Sequence, residues 1–270
     1  MILYHFQNQI ITSQAIETEL RPHIRSNSVI YVEFDVTTFG TLANTNLTKH
    51  EFLGEIFRIF VRLAGDDGVV ITPSFTYSWG STKPEKVFDI LETRSNISAM
   101  GEYARKQDFC TRTLDPMFSC MVAGKRKTEF CHVNNNSFGQ GSIYDKMMNE
   151  NAYLINFGLN RYDPTFVHYV EQSFDETIDK YPFRSLIEFT GEVIDFNKKR
   201  YYAEHKSFMR KLGGNYLFAD EKLIKSLRER DALTTMKIGG GLVYLSDCHS
   251  VYSAGMEGLR NDIRFFTSGA

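Results

Sequence analysis

Residues 29–40, which read VIYVEF and then DVTTFG, decide the fold. Five of the first six are β-branched or aromatic, as is typical of a strand, and the next six carry the small and polar residues of a turn. Thr48–Leu63 follows with large apolar side chains at helical spacing, and Thr48 and Glu51 form a capping-box pattern. Gly68–Thr72, GVVIT, has the apolar run of a strand buried on both faces. Strand, helix and strand in this order predict a βαβ unit.

The remaining chain extends this unit into an α/β fold with a mixed, largely parallel central sheet, flanking helices and a smaller C-terminal α+β lobe. Residues 1–174 are expected to form the main core and residues 175–270 the lobe packed on it. Further predicted helices are Ser95–Lys106, Ser142–Met148, Thr165–Phe174, Lys206–Leu212 and Glu221–Arg230. Further predicted strands lie in Arg112–Gly124, Ala152–Phe157, Ser185–Phe196 and Val243–Asp247, with Pro73–Pro84 as a loop and Gly239–Gly241 as a tight hairpin turn.

Composition and charge narrow the class of protein. The chain has 270 residues, 42% hydrophobic and 24% charged, which excludes disorder, collagen and coiled coil. The chain has 31 Lys and Arg residues against 33 Asp and Glu residues. The protein as a whole therefore has no excess of positive charge that would attract nucleic acid or an anionic membrane. The longest apolar runs are too short to span a bilayer, and no basic start precedes an apolar segment, so we expect a cytoplasmic protein with reduced thiols.

Polar residues gather in four separate stretches: Glu33–Thr38, Pro73–Tyr77, Arg112–Ser119 and Thr165–Glu171. The first three are expected at the carboxyl ends of strands, where ligands bind in open α/β sheets. We therefore predict that these stretches converge on one crevice.

His168 is the candidate base, because an imidazole is best matched to removing a proton near neutral pH. A carboxylate on its other ring nitrogen would fix the tautomer, and the candidates are Glu171, Asp163, Asp115 and Glu33. The alternative is a surface pair of His168 and Glu171, three residues apart on a helix, worth about 0.2–0.5 kcal/mol and without chemistry.

Other site types fail on spacing. A structural zinc site needs two short Cys-x-x-Cys motifs. The spacing of Cys110, Cys120, Cys131 and His132 is too wide for them, so no metal is expected. The Gly-x-Ser-x-Gly motif of an α/β-hydrolase is absent, and the three glycines from Gly239 match no phosphate-binding loop.

The order of the polar stretches resembles the aminoglycoside 3-N-acetyltransferase family across nearly the whole chain. Asp66–Thr76 matches that family's Gly-x-(apolar)-x-Pro-Thr-Phe-Thr signature, and Arg112–Ser119 matches Arg-Ser-x-His-Pro-x-x-Ser. Phe138–Ser142 matches Phe-Gly-x-x-Ser, and Thr165–Glu171 matches Thr-x-x-His-x-x-Glu. The chain departs from the family motifs at two places. Glu33–Thr38 stands where the family has His-Ser-Ser-Leu, and Asp115 stands where the family has a histidine before proline. They resemble a branch associated with surface-polysaccharide biosynthesis.

The resemblance implies an acyl-CoA-dependent N-acyltransferase that acts by direct attack in a ternary complex, with acetyl-CoA or another acyl-CoA as co-substrate. The expected acceptor is the amine of an amino sugar, preferably a nucleotide-linked (dTDP-type) amino-deoxy sugar for surface glycans. The alternatives are aminoglycoside acetylation, as in antibiotic resistance, and a sugar- or CoA-binding homologue without catalysis. Acyl-CoA and the amino sugar are the expected partners, and homo-oligomerisation stays open.

The same resemblance, combined with residue chemistry, assigns roles at the expected site. The expected catalytic residues are His168 as base, Glu171 as its orienting group, Asp115 for the ammonium and Thr38 with its loop amides for the oxyanion. The expected coenzyme-binding residues are Thr37, Thr38, Ser74, Phe75, Thr76, Arg112 and Ser119. The expected acceptor-binding residues are Glu33, Asp35, Tyr77, Trp79 and Asp115.

Overall fold

A computed structural model of the chain describes residues 1–43, 46–80, 85–178, 181–211 and 217–268. Its strands are β1 (Ile2–Phe6), β2 (Gln9–Thr12), β3 (Val29–Phe34), β4 (Thr41–Leu42), β5 (Val69–Pro73), β6 (Val87–Asp89), β7 (Cys110–Arg112), β8 (Cys120–Ala123), β9 (Tyr153–Phe157), β10 (Arg184–Ile194), β11 (Arg200–Arg210), β12 (Leu217–Phe218), β13 (Thr234–Ile238), β14 (Gly241–Asp247) and β15 (Thr267–Ser268). Its helices are α1 (Ser13–Leu20), α2 (Lys49–Ala64), α3 (Ala99–Arg105), α4 (Lys127–Cys131), α5 (Ile143–Asn149), α6 (Val167–Ile178), α7 (Glu221–Glu229) and α8 (Cys248–Asn261).

The central sheet has the strand order β13-β14-β9-β3-β5-β8-β7, which confirms the α/β class and the mixed sheet. Parallel pairing is confined to β9, β3 and β5, whereas the ladders on either side are antiparallel. Short connections account for the two outermost ladders. β13 and β14 are joined by a tight turn, and β7 and β8 by a short one, and such connections permit only antiparallel pairing.

The predicted βαβ unit is confirmed as β3, α2 and β5. Thr48 caps α2, and the capping box with Glu51 is closed in both directions. Gly65 ends the helix with a φ of 86°, a backbone conformation that favours glycine. Alternate residues of β3 face opposite sides of the sheet, with Val29 and Tyr31 in one apolar cluster and Ile30 and Val32 in the other.

The predicted polar stretches meet at one edge of this sheet. Glu33 of β3 lies beside Asn156 of β9, at the carboxyl ends of two parallel strands. Pro73, at the carboxyl end of β5, pairs with Cys120 at the start of the antiparallel β8. The turn between β7 and β8, which contains Asp115, therefore reaches the same edge although its strands are not parallel neighbours of β5.

The helix predicted over Lys206–Leu212 is wrong. Residues 200–210 form β11, which pairs along its whole length with β10, and Leu212 lies outside the described residues. His205 and Ser207 are buried on alternate positions, so burial follows the period of a strand, and cross-strand packing overrides local helical preference. The helix predicted from Ser95 begins at Ala99, with Ser98 as its cap. The end of the loop predicted over Pro73–Pro84, residues 81–84, also lies outside the description.

The C-terminal region contributes directly to the central sheet. The hairpin predicted at Gly239–Gly241 is confirmed, with Gly239 at a φ of +57° between β13 and β14. β14 pairs with β9, whereas the paired β10 and β11 lie in a separate sheet with β6. The division of the chain near residue 175 stays a prediction.

Candidate active site

His168 lies in the first turn of α6 and forms a close pair with Glu171. Its Nδ1 is 2.8 Å from Glu171 Oε2, and the hydroxyl of Tyr181 donates to Glu171 Oε1 at 3.0 Å. Three residues along a helix return to the same face, which explains why this spacing places both groups together. The His168 side chain is 17% exposed, so a ligand can reach it.

The other carboxylates considered as partners of His168 are engaged elsewhere. Asp163 pairs with Arg161 at 2.5 Å, and Asp115 lies 3.2 Å from His205 Nε2. Glu33 accepts hydrogen bonds from Thr165.

Arg184, the first residue of β10, completes the group around the imidazole. Its Nε is 2.8 Å from Glu171 Oε2, and its Nη2 is 3.3 Å from His168 Nε2. Because an arginine can only donate, Nε2 presents its lone pair to Arg184 and Nδ1 carries the proton shared with Glu171. The sequence analysis missed Arg184, because it lies 16 residues beyond His168, just before the predicted strand Ser185–Phe196, and in none of the motifs used.

Burial and charge set the protonation states of this group. Burial lowers the pKa of His168, Arg184 lowers it further, and Glu171 acts in the opposite direction. Burial acts to raise the pKa of Glu171, but the Arg184 guanidinium and His168 outweigh it, and the pKa is lowered. The pair therefore holds a neutral imidazole and an ionised carboxylate at neutral pH, which is the state that a general base requires.

A cavity of about 220 Å³ opens at the carboxyl ends of β3, β5 and β9. Its lining comprises Glu33, Phe34, Pro73, Phe75, Ile97, Ser98, Asn156, Leu159, Arg161, Asp163 and Thr165. Thr165 connects this cavity to His168, because its amide and hydroxyl donate to Glu33 at 3.1 and 2.6 Å while its carbonyl accepts from the His168 amide at 3.0 Å. Burial raises the pKa of Glu33 to about 7.

Tyr77 is in electrostatic range of both parts of the site. Burial raises the pKa of its hydroxyl, Arg184 acts to lower it and Glu33 acts to raise it. Tyr77 has a φ of 50° and packs edge-on against Phe75 and Phe118. Of the predicted site residues, the structure joins Glu33 to His168 through Thr165, and His168 to Glu171 directly.

Several predicted coenzyme-binding residues instead form a buried network. The three guanidinium nitrogens of Arg112 donate to Ser119 Oγ, to the carbonyls of Ile90 and Thr93, and to the carbonyl and hydroxyl of Ser74. Ser74 and Ser119 are fully buried. Burial, and secondarily Arg105, lowers the pKa of Arg112 to about 10. These groups hold the turn after β5 against β7 and β8.

Asp115 also lies inside the protein. Its Oδ1 accepts the amides of Met117 and Phe118 at 2.8 Å and lies 3.2 Å from His205 Nε2. Burial acts to raise its pKa, and His205 with these amides lowers it. His205 Nε2 is also 2.9 Å from Ser137 Oγ, so Asp115 anchors the β7–β8 turn to β11.

Two further predicted contact residues are buried, and a third is partly available. Trp79 is 1% exposed and its indole donates to the Glu192 carbonyl at 3.3 Å, whereas the Thr76 hydroxyl donates to the Pro116 carbonyl at 2.7 Å. Phe75 is buried but lines the 220 Å³ cavity.

The loop after β3 borders a second cavity. Asp35 Oδ1 accepts the amide and hydroxyl of Thr37 at 3.0 and 2.6 Å, and the Thr38 hydroxyl donates to the Gly158 carbonyl at 2.8 Å. The second cavity has a volume of about 640 Å³ and a mainly apolar lining that comprises Leu3, Val36, Thr37, Gly40, Leu42, Ala43, Leu47, Thr48, Lys49, Phe52, Leu53 and Ala99. It adjoins the smaller cavity, because Phe34 and Ser98 line the smaller cavity whereas Val36 and Ala99 line the larger one.

Metal and membrane features were searched over the described residues. Within them, no three His, Cys, Asp or Glu side chains are placed to hold a metal ion. None of the helices found there combines the length and the apolar character that crossing a bilayer requires.

Comparison with known proteins supplies the family. The sequence profile of the aminoglycoside 3-N-acetyltransferase family matches residues 54–260. The chain belongs to this family. No curated protein matches it in sequence. Membership makes the protein an acyltransferase and confirms the family resemblance.

Solved structures agree with this fold at low sequence identity. "AAC-VIa bound to Sisomicin" has a TM-score of 0.73 at 16% identity, over 93% of this chain and 98% of that one. "AAC-IIIb binary with CoASH" has a TM-score of 0.73 at 16% identity, over 96% and 99% of the chains. The YokD protein from Bacillus subtilis has a TM-score of 0.68 at 14% identity, over 93% of this chain and 99% of that one.

Proposed function

We propose that this protein is an acyl-CoA-dependent N-acyltransferase for amino sugars, with His168 as its base. The observation that carries the proposal is the His168 imidazole itself, which Glu171 orients through Nδ1 at 2.8 Å and which burial and Arg184 keep neutral. A neutral imidazole with a fixed tautomer suits deprotonation of an amine, and Thr165 links this imidazole to a cavity lined by acceptor groups.

The reaction of the neutral amine needs two proton transfers at His168 Nε2. As the amine nitrogen attacks the thioester carbonyl, a C–N bond forms and Nε2 accepts a proton of that nitrogen. The C–S bond then breaks, and the imidazolium returns the proton to the departing sulfur, which leaves as a thiol. The contact of 3.3 Å between Nε2 and Arg184 is longer than a typical hydrogen bond of this kind, so the incoming amine has a weak contact to displace.

The acyl-CoA is proposed to lie in the 640 Å³ cavity between the loop after β3 and the start of α2. Its apolar lining suits a pantetheine chain, and Lys49 on its wall suits a phosphate. The amide of Glu51 is already used by the Thr48 hydroxyl in the capping box, so Lys49 rather than that amide is the phosphate contact. Thr37 is the one predicted coenzyme-binding residue that lines this cavity.

The proposed acceptor is an amino sugar of the aminoglycoside class. The family match and the structure of a relative bound to sisomicin favour it over the nucleotide-linked sugar expected from the sequence. Glu33 and Asp163 line the acceptor cavity and suit a cationic molecule. A nucleotide-linked amino sugar is supported by sequence features alone, among them the departures from the family motif at Glu33 and Asp115.

Thiol release tests the reaction. Wild-type protein is expected to release thiol only when acetyl-CoA and an amino sugar are both present. His168→Ala should lower kcat about 10²–10⁴-fold, because it removes general base catalysis. His132→Ala, at an exposed histidine outside the site, is the control and should retain full activity. Full turnover by His168→Ala would refute the mechanism.

A second assay separates the acceptors. Sisomicin and a dTDP-amino sugar are compared as sole acceptors at equal concentration with acetyl-CoA. The proposal expects a higher kcat/KM with sisomicin, and the reverse order would restore the nucleotide-linked sugar. Calorimetric binding of acetyl-CoA without turnover of any amine would support the homologue that lacks catalysis.

A further inference from the structure

His205 is a buried imidazole that the proposed reaction does not use. It lies on β11, and its Nε2 is 3.2 Å from Asp115 Oδ1 and 2.9 Å from Ser137 Oγ. The pKa of Asp115 is lowered, so its carboxylate is ionised at neutral pH and can only accept. Nε2 therefore carries a proton between the two oxygens. In this way His205 joins β11 to the turn between β7 and β8 and to the loop before α5.

Each segment that His205 contacts carries an aromatic side chain close by. Asp115 Oδ1 also accepts the amide of Phe118 at 2.8 Å, and Ser137 directly precedes Phe138. The rings of Phe118 and Phe138 are buried and pack edge to face, with their centroids 4.7 Å apart. The contacts of His205 thus hold the two segments from which these packed rings project.

Phe138 also packs against the proposed base. Its ring centroid is 5.3 Å from that of the His168 imidazole, and the two rings are nearly perpendicular, at 84°. Glu171 and Arg184 contact the two nitrogens of the imidazole, and Phe138 supplies an apolar neighbour that keeps water away from the ring. Burial is the largest cause of the lowered pKa of His168. The place of the Phe138 ring therefore affects both the orientation and the pKa of the imidazole.

We infer that His205 is a positioning residue for the proposed acyl transfer. Through its contacts with the two neighbouring segments it holds the Phe138 ring against His168, which fixes the orientation and the burial of the imidazole. This role rests on the proposed function, in which His168 Nε2 accepts the proton of the amine. A displacement of about 1 Å in a reacting group can lower the rate about 10²-fold, so a residue that never meets the substrate can still control the rate.

Phe138→Leu tests the contact between Phe138 and His168. Leucine keeps the position apolar but removes the ring, so water gains access and the pKa of His168 should rise by about 0.5 or more towards its ordinary 6.5. NMR titration of the histidine side chains measures this pKa without substrate, and the His168→Ala spectrum assigns the signal. With acetyl-CoA and an amino sugar, kcat should fall about tenfold, whereas the KM for acetyl-CoA should change less than about twofold.

Phe130→Leu is the matched control. Phe130 lies on α4 and is buried in the same apolar cluster as Phe138, but its ring packs under the Arg126 guanidinium. Loss of a buried ring should lower the melting temperature in both variants, whereas the pKa of His168 should move in Phe138→Leu alone. Every variant keeps the charged groups that face the imidazole, which are Glu171, Arg184 and Arg210.

Two variants of His205 separate its hydrogen bonds from its charge. His205→Ala removes both contacts, and the hydrogen bond from the Ser137 amide to the Lys206 carbonyl remains to hold the loop on β11. This variant should raise the pKa of His168 as Phe138→Leu does, and the double variant should raise it no further, because both act through one contact. His205→Gln keeps amide donors for the two oxygens and should retain the wild-type pKa and most of kcat. Ser137→Ala removes a single hydroxyl, and it should raise the pKa of His168 even if His205→Ala fails to fold.

Two results would overturn the positioning role. One is an unchanged pKa of His168 in folded Phe138→Leu or in folded Ser137→Ala. The other is a His205→Gln protein that behaves as His205→Ala does, which would make the charge of His205 responsible. In either case thiol release by the wild type would leave the proposed reaction standing. If these variants move the pKa of His168 as expected and the wild type never releases thiol, the proposed reaction fails and His205 still positions the imidazole.

Discussion

At the scale of the residue, the state of His168 depends on two neighbours of opposite charge. Glu171 and Arg184 contact the two ring nitrogens from α6 and β10. The carboxylate favours the protonated imidazole, and the guanidinium, together with burial, disfavours it. The pKa of His168, the proposed base, therefore depends on two opposing charges, and a single substitution can raise or lower it.

Replacing each neighbour should move the pH profile in opposite directions. In wild type, the pKa of His168 lies below its ordinary value of 6.5. The kcat/KM should therefore fall when the pH drops below this pKa, because the imidazole becomes protonated. Arg184→Gln removes a cation, so the pKa rises and the acidic limb moves to higher pH. Glu171→Gln removes an anion, so the pKa falls, the limb moves to lower pH and kcat drops. The measurement is kcat/KM between pH 5 and 9, with His132→Ala as the unshifted control.

Shifts of the same sign in both variants would contradict this balance. A merely structural role for Arg184 would lower kcat at every pH without moving the limb. Arg184→Lys, which keeps the charge and loses the two-sided contact, should retain the position of the limb better than Arg184→Gln does.

Arg112 is expected to act on stability rather than on ligand affinity. Arg112→Lys cannot supply all the donors that now reach Ser74, Ser119 and two carbonyls, so buried acceptors lose their partners. The free energy of unfolding should fall by about 2–4 kcal/mol, as measured by urea denaturation. The KM for acetyl-CoA should stay unchanged below the melting temperature. A raised KM at unchanged stability would instead make Arg112 the phosphate contact that the sequence suggested.

At the scale of the element, the end of β9 holds the loop that borders the larger cavity. Gly158 has a φ of +85°, and a Cβ there would lie 2.0 Å from the Asp35 carbonyl and 2.7 Å from the Thr38 hydroxyl. Close approach of the two backbones thus requires glycine.

Gly158→Ala should therefore displace the loop. We expect a loss of more than about 1 kcal/mol in unfolding free energy, because alanine is strained at positive φ. The affinity for CoA should fall as well, because Thr37 borders the proposed coenzyme cavity. Urea denaturation and calorimetry with CoA measure the two effects. Unchanged CoA affinity in a destabilised but folded variant would place the coenzyme elsewhere.

At the scale of the whole molecule, Glu33 should make stability depend on pH. Its pKa is about 7 in the folded protein against an ordinary 4.5, so the folded state binds the proton more tightly. The stabilisation linked to this proton is complete below pH 4.5 and is lost as the pH rises through 7.

Glu33→Gln resembles the protonated form and should remove this loss. Its melting temperature should exceed that of wild type at pH 8 and match it near pH 4. Thermal denaturation by circular dichroism at both values checks this, and equal differences at the two values would count against a raised pKa. The expected gain in stability at the cost of acceptor binding is typical of a functional site.

Local patterns were sufficient for much of this protein. The capping box of α2, the apolar run of β5 and the helical spacing of His168 and Glu171 each depend on neighbours in sequence, so periodicity predicted them. The motif that resembles the family also contains His168, the proposed base. The helix predicted at Lys206 failed because pairing with β10 decides that segment.

The sequence by itself determined the α/β class, the family and the pair of His168 with Glu171, because these rest on short-range spacing and on the order of motifs. Only the tertiary structure decided that Arg184 contacts the base, that Arg112 and Asp115 are held in buried networks, and that Asn156 lies beside Glu33. These contacts join residues distant in sequence. Their partners are set by strand register and by the need to satisfy buried polar groups, and neither leaves a local pattern in the chain.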